Sequence, residues 1–302
     1  MASPEQRASW LRLGVVPDDY DGPVAADYLS CIERVERLVL PHRATVNRDK
    51  YRLKWWQFAE PCLNMYRAIA PLDKCIVRAQ VSQTWAFGFT DIEQVLDAKL
   101  IIFATCDLAH FAILQSSIHF IWADTYKTTM RTDFTYTPER QFQTFPFPVL
   151  TEHMRTAGLK LIELRQRLCR ESGGGFTELS KKADDPMCEH SGVLEFRACI
   201  TQLDRTVVEA YGWQDLDLAH DFYGEGRDCR FTISVAARNE ILRRLLRLNH
   251  ERYAAEVAAG LHDKGNGKPK ASKPKTAVSD LLSGPRRSLF DDQPLLGEDG
   301  PK

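Results

Sequence analysis

The segment KLIIFATCDLAHFAILQSSIHFIWADTY, residues 99–126, contains a change from strand to helix around which the predicted fold is organised. Its first part, 99–106, is a short β-branched and aromatic run typical of a strand. Asp107 follows as the expected helix N-cap, because its carboxylate can accept hydrogen bonds from free amides of the first turn. The spacing of the next apolar residues predicts a mostly buried helix over 108–126. These residues are Ala112, Ile113, Ile118, Ile121 and Trp122.

The residues before this segment predict the rest of a small sheet. CIVRAQVS (75–82) and TWAFGFT (84–90) are two further strand-like runs separated by polar turns. CLNMYRAIAP (62–71) precedes them and predicts a short helix that stops at Pro71. After the central helix, TTMRTDFTYT (128–137) alternates again, and Pro146 and Pro148 then close a domain.

The remaining patterns predict helices. Residues 24–40 form an amphipathic helix that ends before Pro41, and 149–170, 194–211 and 235–259 repeat apolar positions at helical spacing. SGGGFTELSKKADDP (172–186) is predicted to be a flexible connector. The expected fold class is α+β, with a small mixed sheet and packed helices followed by a helical subdomain and a disordered tail. The expected divisions are a lead-in segment with a helix at 1–45, an α+β domain at 46–148, helices at 149–262 and a tail at 263–302.

Composition narrows the class of protein without identifying a partner. The 302 residues carry 40 Lys plus Arg against 41 Asp plus Glu, so any nucleic-acid surface must be a local patch. Eight scattered cysteines without a C-x-x-C motif predict free thiols in a reducing cytosol. No signal peptide and no apolar run of about 18 residues is present, so we expect a cytoplasmic protein without a membrane span.

The sequence lacks the usual signatures of an enzyme active site. Phosphate-loop, nucleophile-elbow and H-E-x-x-H motifs are absent, and Gly173–Gly175 follows a helix as a linker would. Cys188 and His190 have no second ligand pair, which argues against zinc. His110 and His119 are nine residues apart on the predicted helix and face opposite sides, so they share no ligand. We therefore predict no catalytic, cofactor or metal residue.

The stretch KYRLKWWQF, residues 50–58, combines alternating cations with two adjacent tryptophans. In an extended segment Lys50, Arg52 and Lys54 would share one face, which suits DNA phosphates. The alternative is a positive strand edge that resists aggregation, with Trp55 and Trp56 in the core. We assign both tryptophans, like Trp122, to packing.

Four stretches resemble the C-terminal target-recognition and helical region of single-chain, MmeI-like restriction-modification and phage-defence DNA methyltransferases that modify adenine. KWWQFAEP (54–61) is similar to the start of the family's recognition domain, and 99–123 to its strand, Asp and S-x-x-H-x-x-W helix. FTYTPERQFQTFPFP (134–148) is similar to the end of that domain. The fourth stretch combines LDRTVVEAYGWQDL (203–216) with LLRLNHERYAAE (245–256), which together are similar to the helical tail.

The resemblance implies double-stranded DNA as a partner and no chemistry on this chain. The family's glycine-rich S-adenosylmethionine loop and Asn/Asp-Pro-Pro-Tyr/Phe motif are both absent, since Asp185-Pro186-Met187 lacks the second proline and the ring. We therefore expect S-adenosylmethionine on a catalytic domain or subunit that partners this chain. The candidate DNA-binding residues are Arg48, Lys50, Arg52, Lys54, Arg78, Gln80, Ser82, Gln83, Lys127, Thr128, Thr129 and Arg131. Arg and Gln can read base edges, and Lys, Ser and Thr mostly bind phosphate.

The leading hypothesis is thus the sequence-specific DNA recognition part of a restriction-modification or phage-defence adenine-N6 methyltransferase. One alternative is an interaction subunit of a defence system that contacts DNA nonspecifically. A metal-dependent nuclease is a third hypothesis. It would use Asp18, Asp97 and Lys99, but their separation is long and Asp97 and Lys99 precede their strand instead of ending it.

Overall fold

The computed structural model describes residues 27–58, 62–130, 133–226 and 229–261. The chain divides into two compact units, Met1–Leu63 and Asn64–Lys302. The expected disordered tail, the candidate Arg131 and the nuclease candidate Asp18 lie outside the described residues.

The first unit contains two helices, α1 (Leu29–Ala44) and α2 (Asp49–Leu53). Helix α1 continues through Pro41, so the predicted end before this proline is wrong. Proline removes one backbone donor and one hydrogen bond, and α1 persists for less than one further turn beyond it. Ile32 is the buried residue of α1, and Leu38 is exposed.

The second unit begins within α3 (Leu63–Ile69) and continues into a three-stranded sheet. The strands are β1 (Lys74–Ala79), β2 (Gly88–Asp91) and β3 (Leu100–Phe103), in the order β2-β1-β3. Ile76 of the central strand lies opposite Phe89 on one side and Phe103 on the other. All three predicted strands are confirmed, but both pairings are antiparallel, so the sheet is not mixed.

The sheet separates two apolar clusters because successive side chains of β1 point to opposite faces. Ile76 packs in the main core, whereas Cys75 packs with Ala68 and Ile69 of α3. The same alternation places Arg78 on the face of Ile76, toward the main core.

The predicted central helix is in fact two helices, α4 (Leu108–Gln115) and α5 (Ser117–Thr125). The break is at Ser116, whose extended backbone lets its hydroxyl accept a hydrogen bond from His119 N at 3.3 Å as the N-cap of α5. Serine competes in this way with the helical backbone for hydrogen bonds, which the apolar periodicity did not reveal. The N-cap role of Asp107 is confirmed, since its Oδ1 accepts from Ala109 N at 2.8 Å.

A short hairpin and a proline-rich segment follow. Strands β4 (Thr128–Met130) and β5 (Asp133–Thr135) pair antiparallel, so the alternating run 128–137 folds back on itself. A single π-helical turn, Pro138–Phe142, leads toward Pro146 and Pro148.

The second half of the chain is built on three long helices, as predicted. These are α6 (Glu152–Ser172), α8 (Ser191–Ala210) and α9 (Val235–Ala258). The predicted flexible connector instead contains α7 (Phe176–Ala183), whose Leu179 and Ala183 are buried. A hairpin of β6 (Asp221–Tyr223) and β7 (Arg230–Thr232) was not predicted, because its strands are only three residues long.

One hydrophobic core runs through the second unit. It includes Ile76 and Phe145 before the proposed boundary at 148/149 and Met154, Phe196 and Leu245 after it. The α+β class is confirmed, with the sheet and the later helices sharing this core. The four-part division of the chain stays a prediction.

Polar side chains tie the helices together at their ends. Arg155 of α6 donates two hydrogen bonds of 2.9 Å to the carboxylate of Asp107. Burial alone would raise the pKa of Asp107, but the hydrogen bonds from Arg155 and Ala109 outweigh it and lower the pKa. Asp204 of α8 accepts from Ser117 N at 2.8 Å and pairs with His220 Nε2 at 2.9 Å.

The cysteines and the composition of the helices can be compared with what the sequence predicts. All eight cysteines, which lie within the described ranges, are free thiols. No helix in the part of the chain that the structure describes combines the length and the apolar composition needed to span a bilayer.

Gly158 allows a close approach between α6 and α4. A Cβ atom built on Gly158 would lie 2.5 Å from the backbone oxygen of Leu108, a contact that requires the two helices to separate. We expect Gly158→Ala to lower the free energy of unfolding by about 1–3 kcal/mol, although alanine favours an isolated helix by roughly 1 kcal/mol. Urea unfolding followed by circular dichroism measures this change.

Thr156→Ala is the matched control, because Thr156 is exposed on the same helix. Its effect should stay within about 0.5 kcal/mol. A Gly158→Ala variant as stable as the wild type would show that α4 and α6 do not pack this closely.

Candidate nucleic-acid interface

The basic segment of the first unit is not extended. Residues Asp49–Leu53 form α2, in which the amides of Tyr51 and Arg52 bond to Arg48 O at 3.0 and 3.2 Å. Lys50 and Arg52 are therefore about 200° apart around the helix instead of sharing the face of a strand. The predicted basic strand face and the alternative of a guarded strand edge are both wrong at this point.

The cations of this segment nevertheless remain at the surface. Arg48, Lys50, Arg52 and Lys54 are all exposed. Arg52 forms an ion pair with Asp49 on the preceding turn. The segment therefore presents several positive charges within seven residues, of which Arg52 is partly compensated.

Trp55 and Trp56 are half-buried. The prediction that both are core residues is therefore wrong. Their rings meet edge to face, with centroids 5.9 Å apart and an interplanar angle of 77°. Arg43 of α1 donates to Trp55 O at 2.9 Å and thereby ties the end of this segment to the helix. The packing role of Trp122, by contrast, is confirmed by its 1% exposure.

The second unit brings two other groups of candidate residues together. We call β4, β5 and Tyr136 the ribbon. The ribbon pairs with the chain that continues from β1, because Tyr136 N donates to Gln80 O at 2.8 Å and Ser82 N donates to Phe134 O at 3.1 Å. A bridge between Val81 and Thr135 completes this pairing. Gln80, Ser82 and Gln83 thus run beside the strand that pairs with Thr128 and Thr129.

The individual candidates along this edge differ in availability. Gln83 is exposed, whereas Gln80 and Ser82 are half-buried. The hydroxyl of Ser82 accepts from Thr84 N and donates to Thr84 O, both at 3.1 Å, so it already serves the local turn. The side chain of Lys127 is 41% exposed and forms an ion pair with Asp124 at 2.6 Å.

Arg78 is not a surface residue, and its assignment to a DNA contact is corrected. It is 2% exposed because it faces the core on the same side of β1 as Ile76. Four rings surround its guanidinium group, and we call them the aromatic cage. The centroids lie 4.4 Å away for Trp85, 5.0 Å for Phe87, 5.4 Å for Phe134 and 4.9 Å for Tyr136. Burial lowers the pKa of Arg78 to about 10, so the group stays charged at neutral pH.

His119 and Tyr136 form a buried pair beside Arg78 that the sequence reasoning missed. Both side chains have 0% exposure, and His119 Nε2 lies 2.9 Å from the Tyr136 hydroxyl. Burial, with a contribution from the positive charge of Arg78, lowers the pKa of His119 to about 3. Burial raises the pKa of Tyr136, so the pair is neutral at physiological pH. The alternation of β1, which places an arginine on the core face, was the available signal.

A pocket of about 570 Å³ opens next to the ribbon. Its lining includes the cations Lys127 and Arg140, the carboxylate residue Glu139, Tyr126 and Asn249. Asn249 donates to Thr144 O and so connects α9 to the segment after the ribbon. Positive charge beside an aromatic ring is suited to a phosphate and a neighbouring base.

The other chemical candidates serve local structure. His110 Nδ1 bonds with Thr105 Oγ1 at 3.1 Å, and Asp97 Oδ1 accepts from Lys99 N at 2.7 Å. His190 is the N-cap of α8 through Gly192 N, at 3.2 Å. Within the described residues, no group of three or more His, Cys, Asp or Glu is arranged to hold a metal ion.

Comparison with known proteins gives two matches to this architecture. Residues 73–149 match the family model described as MmeI, target recognition domain. The fold is similar to that of the type IIL restriction-modification enzyme MmeI, solved in complex with DNA, with a TM-score of 0.53 and 15% sequence identity. No relative is found among curated proteins.

The extent of each match limits what it shows. The structural similarity covers 78% of this chain, which spans only 28% of the length of the MmeI chain. At this identity the similarity concerns the fold. The family model covers β1 to β5 and the proline-rich segment, which together include the ribbon and its pairing with Gln80–Ser82. Residues 73–149 are therefore similar to the MmeI target recognition domain.

Proposed function

We propose that this chain reads the base sequence of double-stranded DNA for a restriction-modification enzyme. The observation that carries the proposal is the MmeI-like target recognition domain at 73–149. The solved MmeI structure was determined with DNA, which supports a DNA ligand for the related region here.

The shape of the ribbon supports this proposal. A B-DNA major groove is about 12 Å wide and admits a two-stranded β-ribbon. The ribbon pairs with the chain after β1, so that Gln80, Ser82 and Gln83 lie beside it, and Lys127 immediately precedes it. The exposed Gln83 can bind an adenine edge in bidentate geometry, while Lys127 at the base of the ribbon can reach phosphate or guanine.

We also propose that methyl transfer takes place on a partner domain or subunit. We propose adenine-N6 methylation by a catalytic domain or subunit that binds S-adenosylmethionine, with this chain positioning it on the target site. The support is the resemblance of the four sequence stretches together with the absence of both catalytic motifs from this sequence. A role in phage defence belongs to the same proposal.

The first prediction concerns sequence preference. We expect a duplex selected by this chain from a random pool to bind more tightly than a scrambled duplex of equal length. The preference should persist from about 50 to 200 mM salt, because base contacts resist salt while phosphate contacts weaken. Fluorescence anisotropy at both salt concentrations measures the two affinities. Equal affinity for all duplexes would instead support an interaction subunit with nonspecific DNA contact.

The second prediction concerns the basic segment around α2. Replacing Lys50, Arg52 and Lys54 together with Gln should weaken binding to every duplex similarly. The slope of log affinity against log salt should fall by roughly 0.9 for each phosphate that is no longer neutralised. Folding should be retained, since all three side chains are exposed.

A variant with the same change in charge provides the control. Arg167, Arg243 and Arg247 are exposed and pair with Glu195, Glu240 and Glu251. Their triple Gln replacement should leave affinity and salt slope unchanged. If both triple variants behave alike, the basic segment acts only through net charge and makes no specific phosphate contact.

The third prediction concerns the cofactor. We expect calorimetric titration of this chain with S-adenosylmethionine to show no binding, and a methyl-transfer assay to show no product. Gly173–Gly175 follows α6 and does not form the turn from a strand to a helix that brings backbone amides to such a ligand. Stoichiometric binding would refute the placement of the cofactor on a partner. Transfer that appears only with a polypeptide carrying the Asn/Asp-Pro-Pro motif would support it.

A further inference from the structure

The ribbon is joined to the rest of the fold by few backbone contacts. Its own strands are three residues long, and its pairing with the chain after β1 comprises the Val81–Thr135 bridge with the two hydrogen bonds of Gln80 O and Ser82 N. A two-stranded hairpin by itself is marginally stable in water. Side-chain packing must therefore hold the ribbon in a defined place.

That packing is provided by the aromatic cage around Arg78. Phe134 and Tyr136 belong to the ribbon, whereas Trp85 and Phe87 precede β2. The rings of Trp85 and Phe134 meet edge to face with centroids 5.6 Å apart. Arg78 of β1 lies against rings from both sides, so sheet and ribbon share one cation.

The hydrogen bond between His119 and Tyr136 links the ribbon to α5. It joins the last residue of the ribbon to the buried face of the central helix, 17 positions away in the sequence. Four other buried polar atoms near it have no hydrogen-bond partner among the described residues: Arg78 Nη1, Trp85 Nε1, His119 Nδ1 and Thr135 Oγ1. Hydrogen bonding between side chains in this region is thus concentrated in the one pair.

We propose that the hydrogen bond between His119 and Tyr136, enclosed by the aromatic cage, positions the ribbon for reading DNA. The inference rests on the proposed function, and it makes His119 and Tyr136 positioning residues that do not touch the bases. Without the hydrogen bond, the ribbon should remain attached but sample more positions, and base contacts demand fixed geometry.

Tyr136→Phe tests the proposal because it removes only the hydroxyl and keeps the ring. Hydrogen exchange of the Ser82 and Tyr136 amides, whose hydrogen bonds join the ribbon to the chain after β1, should accelerate roughly tenfold, as expected from one buried hydrogen bond. The Ile76 amide, bonded to Thr105 O at 3.1 Å within the sheet, is the internal reference and should not change.

Binding of DNA provides the second measurement. The ratio of affinities for the selected and the scrambled duplex should fall about tenfold in Tyr136→Phe, comparable to the effect of one mismatched base. The affinity for the scrambled duplex and its salt slope should stay as in the wild type, because phosphate contacts do not require the fixed ribbon. A merely structural role would leave the ratio unchanged.

Tyr211→Phe is the matched control. Tyr211 donates to Pro146 O at 2.9 Å, so this variant also deletes one hydrogen bond of the same length, but outside the aromatic cage. Ribbon exchange and the affinity ratio should both remain at wild-type values.

The possible outcomes distinguish an error in the positioning role of the hydrogen bond from an error in the proposed function. Unchanged ribbon exchange in Tyr136→Phe overturns the inference whether or not DNA binds. Faster exchange with an unchanged affinity ratio also overturns it, because a mobile ribbon would then read DNA equally well. A wild-type chain without any duplex preference would refute the proposed function itself, and with it the use of the ribbon.

Discussion

The fold depends on the burial of the apolar side chains of α4 and α5. Ala109, Phe111 and Leu114 of α4 and Ile118 and Trp122 of α5 are almost inaccessible to solvent. Two helices this apolar cannot remain at a surface, so a layer must cover each side. Ile76 and Phe103 of the sheet pack against them, and so do α6, α8 and α9, with Gly158 admitting the backbone of α4 at short distance. One face of the sheet and the later helices therefore share the main core, while α3 packs with the second cluster on the other face.

Because α4 and α5 are largely buried, their polar groups need hydrogen-bond partners within the protein. Ser116 bonds to Ile113 O and caps α5, and Asp204 satisfies the amide of Ser117 from α8. His119 is paired with Tyr136 and kept neutral by its surroundings. A buried polar group without a partner costs about 1–3 kcal/mol, so these bonds favour one arrangement of the elements over others. One of them reaches the ribbon.

Two buried arginines, Arg197 and Arg78, and the half-buried Arg165 meet this requirement in different ways. Arg197 donates to four backbone oxygens, those of Lys182, Ala183, Asp185 and Cys188, and so holds the loop after α7. Arg165 donates to Phe87 O at 2.7 Å and lies over Phe176. Arg78 donates to Ala79 O and otherwise lies against rings, whose negative faces stabilise a desolvated cation. Surface exposure could not be inferred from residue type for any of the three.

Local patterns in the sequence determined the three strands, the Asp107 cap and the three long helices. These features follow from hydrogen bonding and apolar periodicity within about 25 residues. Tertiary structure decided which charged residues are accessible: Arg78 was a candidate DNA contact, but the core on its face of β1 buried it. It also decided that 80–83 and the ribbon lie together, because antiparallel pairing joins segments about 50 residues apart. The helix of 49–53 replaced an expected strand since alternating charges fix no backbone conformation when neither face of the segment is buried.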